Sequence, residues 1–191
     1  MIIKQGTEDG LIERCNTYWP PTTATVYPSL DFLILASASR SAPNYYFDRS
    51  YLRFNTSSIP AGAIITSAKL WFKLKGKLND NSFNVPIQVY RANDWGPTLD
   101  TEDWGCGNTL VGTKNYADLP AVDQWFSIDL DPSCINKGGI TAFETKGNHE
   151  SGTTPTGYNQ AWVYSANSSG NEPYLEISYI LPGAMLLMFL S

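Results

Sequence analysis

Histidine, cysteine and charge are all scarce in this chain, and each shortage removes a class of function. A single histidine, His149, sits in a loop rich in Gly, Ser and Thr. A Ser-His-Asp arrangement needs a base held beside its nucleophile, and a lone loop histidine is ordinarily just solvated. The three cysteines, Cys15, Cys106 and Cys134, are odd in number and widely spaced. That argues against both a disulfide framework and a zinc site. Only 16% of the residues are charged, the net charge is -5, and the one basic grouping is the lysines at 69, 73, 75 and 77. Nucleic acid is therefore a poor partner. No Gly-rich phosphate loop follows a strand. The apolar run Ala184 to Leu190 falls well short of the roughly 20 residues that span a bilayer, so no membrane span is expected. The opening MIIKQGTEDG has no apolar core or small-residue cleavage site, so the chain is expected to be made without a signal peptide.

What the sequence has is aromatics, at 13%, together with many Ser, Thr, Asn, Gly and Pro residues, the profile of short strands joined by turns. The 191 residues suit one domain, expected over 1–180, followed by an apolar tail at 181–191. Because side chains alternate across a strand, the stretch Arg49 to Leu74 reads as two strands flanking a Pro-Ala-Gly turn. Tyr51 to Asn55 is expected to pair with Ala68 to Lys75 as a hairpin. Ala68, Leu70, Phe72 and Leu74 form the apolar face of the second strand, and Trp71 stands among lysines on the other face. An indole there is covered by another segment or touches a ligand.

Further strands are expected at Leu11 to Cys15, Phe32 to Ser37, Val85 to Arg91, Trp125 to Leu130, Ile140 to Thr145, Ala161 to Ser165 and Tyr174 to Tyr179. Pro86 marks the Val85 strand as an edge. PSCINKGG suggests a short helical turn capped by Gly138. Residues 92–123 read as a long irregular insertion that packs over a sheet, with Trp95 and Trp104 as its anchors. Regular alternation with frequent turn signals and little helix gives an all-β antiparallel sandwich.

Three stretches carry a family likeness: NYYFDRSYLRFNTSSIPAGAIITSAKLWFKL, DPSCINKGGITAFETKG and WVYSANSSGNEPYLEISY. With them the chain resembles the DNRLRE domain family over most of residues 9 to 180. The resemblance implies a jelly-roll-like sandwich related to carbohydrate-binding modules. It also implies a glycan-facing setting in cell-surface proteins, polysaccharide-degrading enzymes or phage particles. Against that pattern, no catalytic partner domain is expected within these 191 residues, and their last stretch is an apolar run.

Sugar binding has the strongest physical case, since pyranose C–H faces stack on aromatic rings while their hydroxyls need polar partners. The outward residues Trp71, Lys73, Gln88, Tyr90, Trp162, Tyr164 and Arg53 form an aromatic platform with a polar margin, provided their strands share one sheet. Jelly-roll carbohydrate modules often hold calcium near the first strand. Here Glu8 and Asp9, with Glu172 before the last strand, would supply oxygen ligands to a structural calcium if the terminal strands pair. Carboxylate catalysis is weighed on Asp94, Asp100, Glu102, Asp103, Asp129 and Glu144, with solvated or capping acids as the plainer reading. The expected function is a non-enzymatic glycan-binding or structural module at a virion or extracellular surface, a tail appendage for instance. It would assemble as a homo-oligomer or with other virion proteins through Ala184 to Leu190. The alternatives are a carbohydrate-binding module of a larger secreted protein and a purely architectural decoration protein.

Overall fold

The computed structural model describes residues 1–4, 9–80, 86–93, 95–96, 98–148 and 154–182. Thirteen strands are present among these residues: β1 (Ile2–Lys4), β2 (Asp9–Asn16), β3 (Thr23–Tyr27), β4 (Phe32–Ser37), β5 (Ser39–Ser41), β6 (Asn44–Asn55), β7 (Ile64–Asn79), β8 (Ile87–Ala92), β9 (Gly107–Lys114), β10 (Trp125–Leu130), β11 (Ile140–Gly147), β12 (Asn159–Tyr164) and β13 (Tyr174–Ile180). They form two antiparallel sheets packed face to face, the expected all-β sandwich. The first sheet runs β1-β13-β7-β12-β4, with β10 also on β7. The second runs β3-β2-β6-β11-β8-β9, with β5 on β6.

The long strand β7 organises the first sheet. Its 64–71 stretch pairs with β13, its 74–79 stretch with β12, and its 68–73 stretch with β10. Ala68, Leu70, Phe72 and Leu74 point inward, as their alternation requires, and meet Leu52 and Phe54 of β6, Ile87 and Val89 of β8 and Phe143 of β11. Each large side chain sealed in this layer contributes about 1.5–3 kcal/mol of transfer free energy.

The expected hairpin does not form. β6 pairs with β2 and β11 in the second sheet, whereas β7 belongs to the first, so residues 56–63 cross from one sheet to the other. The crossing is held by burial and hydrogen bonds. Ile59 and Ala63 are sealed in the core, and the Thr56 hydroxyl lies within hydrogen-bond distance of Asn136 O (2.6 Å), Gly139 O (2.9 Å) and the Thr141 hydroxyl (2.9 Å).

Two other expectations change. β8 is not an edge, because it lies between β11 and β9, and Pro86 precedes its first residue. The 92–123 stretch is only partly irregular, since it contains β9, paired along β8. The turn after Asp131 is a 3-10 turn over Pro132–Cys134 that ends at Ile135. Gly138 lies beyond it with φ +95°.

Candidate functional site

The outward faces of the two sheets differ in what covers them. On the second sheet, the segment around Trp95 and Trp104 lies over β2, β6 and β11. Trp104 packs against two guanidinium groups, Arg14 at 4.2 Å and Arg49 at 4.1 Å from its ring. Arg49 in turn donates to Glu144 Oε1 at 2.8 Å, and Glu144 Oε2 accepts from Gly107 N at 3.0 Å. Trp95 meets Tyr51 edge-on at 5.6 Å, and Arg53 donates to Gly96 O at 2.8 Å. Tyr51, on the outward face by alternation, is fully buried as a result, and burial pushes its phenol far above the usual range. Trp95 and Trp104 thus anchor the insertion, as the sequence suggests.

On the first sheet the aromatics remain half-exposed. Trp71 and Tyr174 are cross-strand partners, and their rings stack at 5.7 Å with only 11° between planes. The indole N–H of Trp71 donates to Glu176 Oε2 at 2.8 Å. Trp125, 38% exposed, leans on Tyr174 at 5.3 Å. Burial and then the Glu176 charge push the Tyr174 phenol up, so it stays a neutral donor at physiological pH.

Beside this trio runs a lysine-edged strip. Lys73 donates to Asn171 Oδ1 at 2.9 Å and lies 5.6 Å from the Tyr164 ring. Lys75 sits 5.3 Å from both Tyr164 and Phe32, and the Tyr164 hydroxyl donates to Asp123 Oδ1 at 2.9 Å. An open hollow of about 340 Å³ is lined by Phe32, Lys75, Gly76 and Trp162. Glycine in its floor lets the ring lie close, since a Cβ at position 76 would stand 2.9 Å from Trp162 Cε3 and force the indole to shift.

The seven residues expected to form one platform are therefore divided. Trp71, Lys73, Trp162 and Tyr164 share the outward face of the first sheet, whereas Arg53, Gln88 and Tyr90 belong to the second. Arg53 is engaged under the insertion. Tyr90 donates to Gln88 Oε1 at 3.3 Å and is overlain by Lys146 at 4.3 Å. Trp125, Tyr174 and Asn171 join the first-sheet face without having been singled out for binding in the sequence. For Trp125 and Tyr174 the signal was outward alternation in β10 and β13, which becomes a site only once both strands are known to flank β7; Asn171 lies in the turn before β13 and carried no such signal.

Of the three expected calcium ligands, Asp9 is 4% exposed. Its Oδ2 accepts from Ala166 N at 2.7 Å and its Oδ1 has no hydrogen-bond partner. Burial raises its pKa to about 6 against the opposing Ala166 N–H. Glu172 is half-buried, and Glu8 lies outside the described residues. Among the described residues no three His, Cys, Asp or Glu gather into a metal-binding group.

Four of the acids weighed for catalysis are engaged in structural contacts, and the Glu102 side chain is exposed. Asp100 and Asp103 form a reciprocal cap around a 3-10 turn, Asp129 pairs with Lys69 at 3.4 Å, and Glu144 is buried against Arg49. His149, Asp94 and the run Ala184 to Leu190 lie outside the described residues. Among the described residues no helix is long and apolar enough to cross a membrane. No protein-family model matches the chain, and no curated protein matches its sequence.

Proposed function

We propose that the protein is a non-enzymatic glycan-binding module, a virion surface or tail-appendage protein that contacts host carbohydrate through the outward face of its first sheet. The observation that carries this reading is the half-exposed array of Trp71, Tyr174, Trp125, Trp162 and Tyr164 with Lys73, Lys75 and Asn171 among them. Rings of this kind stack on the apolar faces of pyranoses, and ammonium and amide groups take the hydroxyls. The 340 Å³ hollow at Trp162 is large enough for a single sugar ring. The virion setting is supported by the resemblance to the DNRLRE domain family alone.

A calcium ion held by Asp9 would fasten β2 to the Ser165–Asn167 turn and serve stability rather than chemistry. Assembly through Ala184 to Leu190 belongs to the same reading, and light scattering on the chain with and without those residues tests it.

The decisive experiment is a glycan array probed with the wild-type chain, Trp71→Ala, Trp162→Ala and, as an opposite-face control, Tyr90→Ala. Specific hits lost in the first two variants and kept in the third are expected. An array with no hit, or equal loss in the control, overturns the reading.

A further inference from the structure

One end of the space between the sheets is polar. The β2–β6 register sets Glu13 directly opposite Asp48. Asp48 points inward, because its Oδ2 accepts from Gln160 Nε2 at 3.4 Å, on β12 of the facing sheet, and it is also bonded to Ser37 of β4. Glu13, its cross-strand partner, shares that face, and its Oε1 accepts from the Tyr27 hydroxyl at 3.4 Å. Cys15 and Tyr46 form the next inward pair.

Two buried oxygens here have no hydrogen-bond partner. One is Oδ1 of Asp48, a residue only 2% exposed. The other is Oγ1 of Thr145, which stands opposite Ser50, one inward step along β6 from Asp48. Among the described residues neither carboxylate is paired with a lysine or arginine; the ion pairs lie at Arg49–Glu144, Lys146–Glu144 and Lys69–Asp129. Like charges directly opposite in a ladder repel, and a buried carboxylate oxygen with nothing to accept from is costly. A proton or a metal cation taken from solvent would relieve both costs.

We propose that Glu13 and Asp48 hold a hard cation of the calcium type between the two sheets. The two carboxylates are the charged donors, and hydroxyl oxygens and water complete the shell. The oxygens bonded around the pair, from Asp48, Glu13, Ser37 and Tyr27, suit such an ion and would leave Cys15 out of its coordination. Two carboxylates rather than three make this a site of moderate affinity. Because Asp48 is bonded to Ser37 and Gln160, an ion on it ties β6 of one sheet to β4 and β12 of the other. This place is separate from Asp9, which lies four residues away along β2, about 13 Å at strand spacing.

The test uses the full chain, stripped with chelator, and terbium chloride as the probe. Tyr27 and Tyr46 stand beside the site, so excitation of tyrosine should give saturable terbium emission that calcium chloride displaces. The melting temperature at pH 8 should rise in calcium chloride relative to chelator. Asp48→Asn and Glu13→Gln, both close to isosteric, should each weaken terbium binding at least tenfold, and Asp9→Asn should leave the Tyr-sensitised signal in place. Absence of saturable emission would mean that a proton balances the pair, and the proposal falls. It falls equally if emission persists in Asp48→Asn, or if Asp9→Asn alone abolishes it.

Discussion

Replacing Asp48 by asparagine, in chelator, should stabilise the protein at pH 8 and leave it no more stable at pH 5. Burial, reinforced by the Glu13 charge, raises the Asp48 pKa from its ordinary 3.8 to about 7. The folded state therefore keeps a proton that the unfolded chain releases between those two values. The folded state binds more protons there, so stability falls as pH rises from about 4 to about 7 and is flat above. The gap is worth about 4 kcal/mol between the two protonation states. Asparagine removes that penalty but brings an amide N–H that needs a partner, at a cost of roughly 1–3 kcal/mol. The net gain at pH 8 is then about 1–3 kcal/mol, or roughly 2–4 °C of melting temperature per kcal/mol for a chain of this size. Urea unfolding of both proteins at pH 5 and pH 8 measures it. Equal stabilities at pH 8, or a variant less stable than the parent there, would refute the placement of an uncompensated carboxylate between the sheets.

Other predictions concern the two outward faces. Arg49→Met should cost about 3–5 kcal/mol, because it strands Glu144 inside the covered face with Lys146 3.8 Å away as its remaining cation; denaturant unfolding measures this. It should also loosen the 98–106 segment, seen as faster hydrogen exchange at Gly107 N. Gly76→Ala should push the Trp162 ring off its floor at a cost of about 1–3 kcal/mol and move the Trp162 indole signal in a proton–nitrogen spectrum; an unmoved signal would contradict the contact.

The strands with clean alternation were legible in the sequence. β4 and β10 occupy the expected residues, β7, β11 and β13 are longer than expected, and β12 starts two residues earlier and ends one sooner. Alternation fixes the face a side chain takes and says nothing about which strand lies alongside. That is why Tyr51–Asn55 and Ala68–Lys75 look like a hairpin although Ile59 and Ala63 carry the chain across the core between them. β3, TATVY, is an edge strand with no fully buried residue, and β9 buries only Val111, so neither carries the apolar pattern of a half-buried strand. The candidate face was half legible for the same reason. Trp71 and Trp162 announce themselves as aromatics among polar neighbours, whereas Tyr174 and Trp125 join them only through the β13 and β10 registers. Glu13 and Asp48 are inward polar residues that interrupt the apolar pattern, and only the β2–β6 pairing sets them face to face.

The most direct test of the central claim is an indole proton–nitrogen spectrum of the chain, whose six tryptophans give separate signals, titrated with the strongest glycan from the array. The account predicts that Trp71, Trp125 and Trp162 shift together and saturate, while Trp95 and Trp104 hold still against the guanidinium groups of the opposite face. Shifts confined to Trp95 and Trp104, with the first-sheet indoles unmoved, would contradict it.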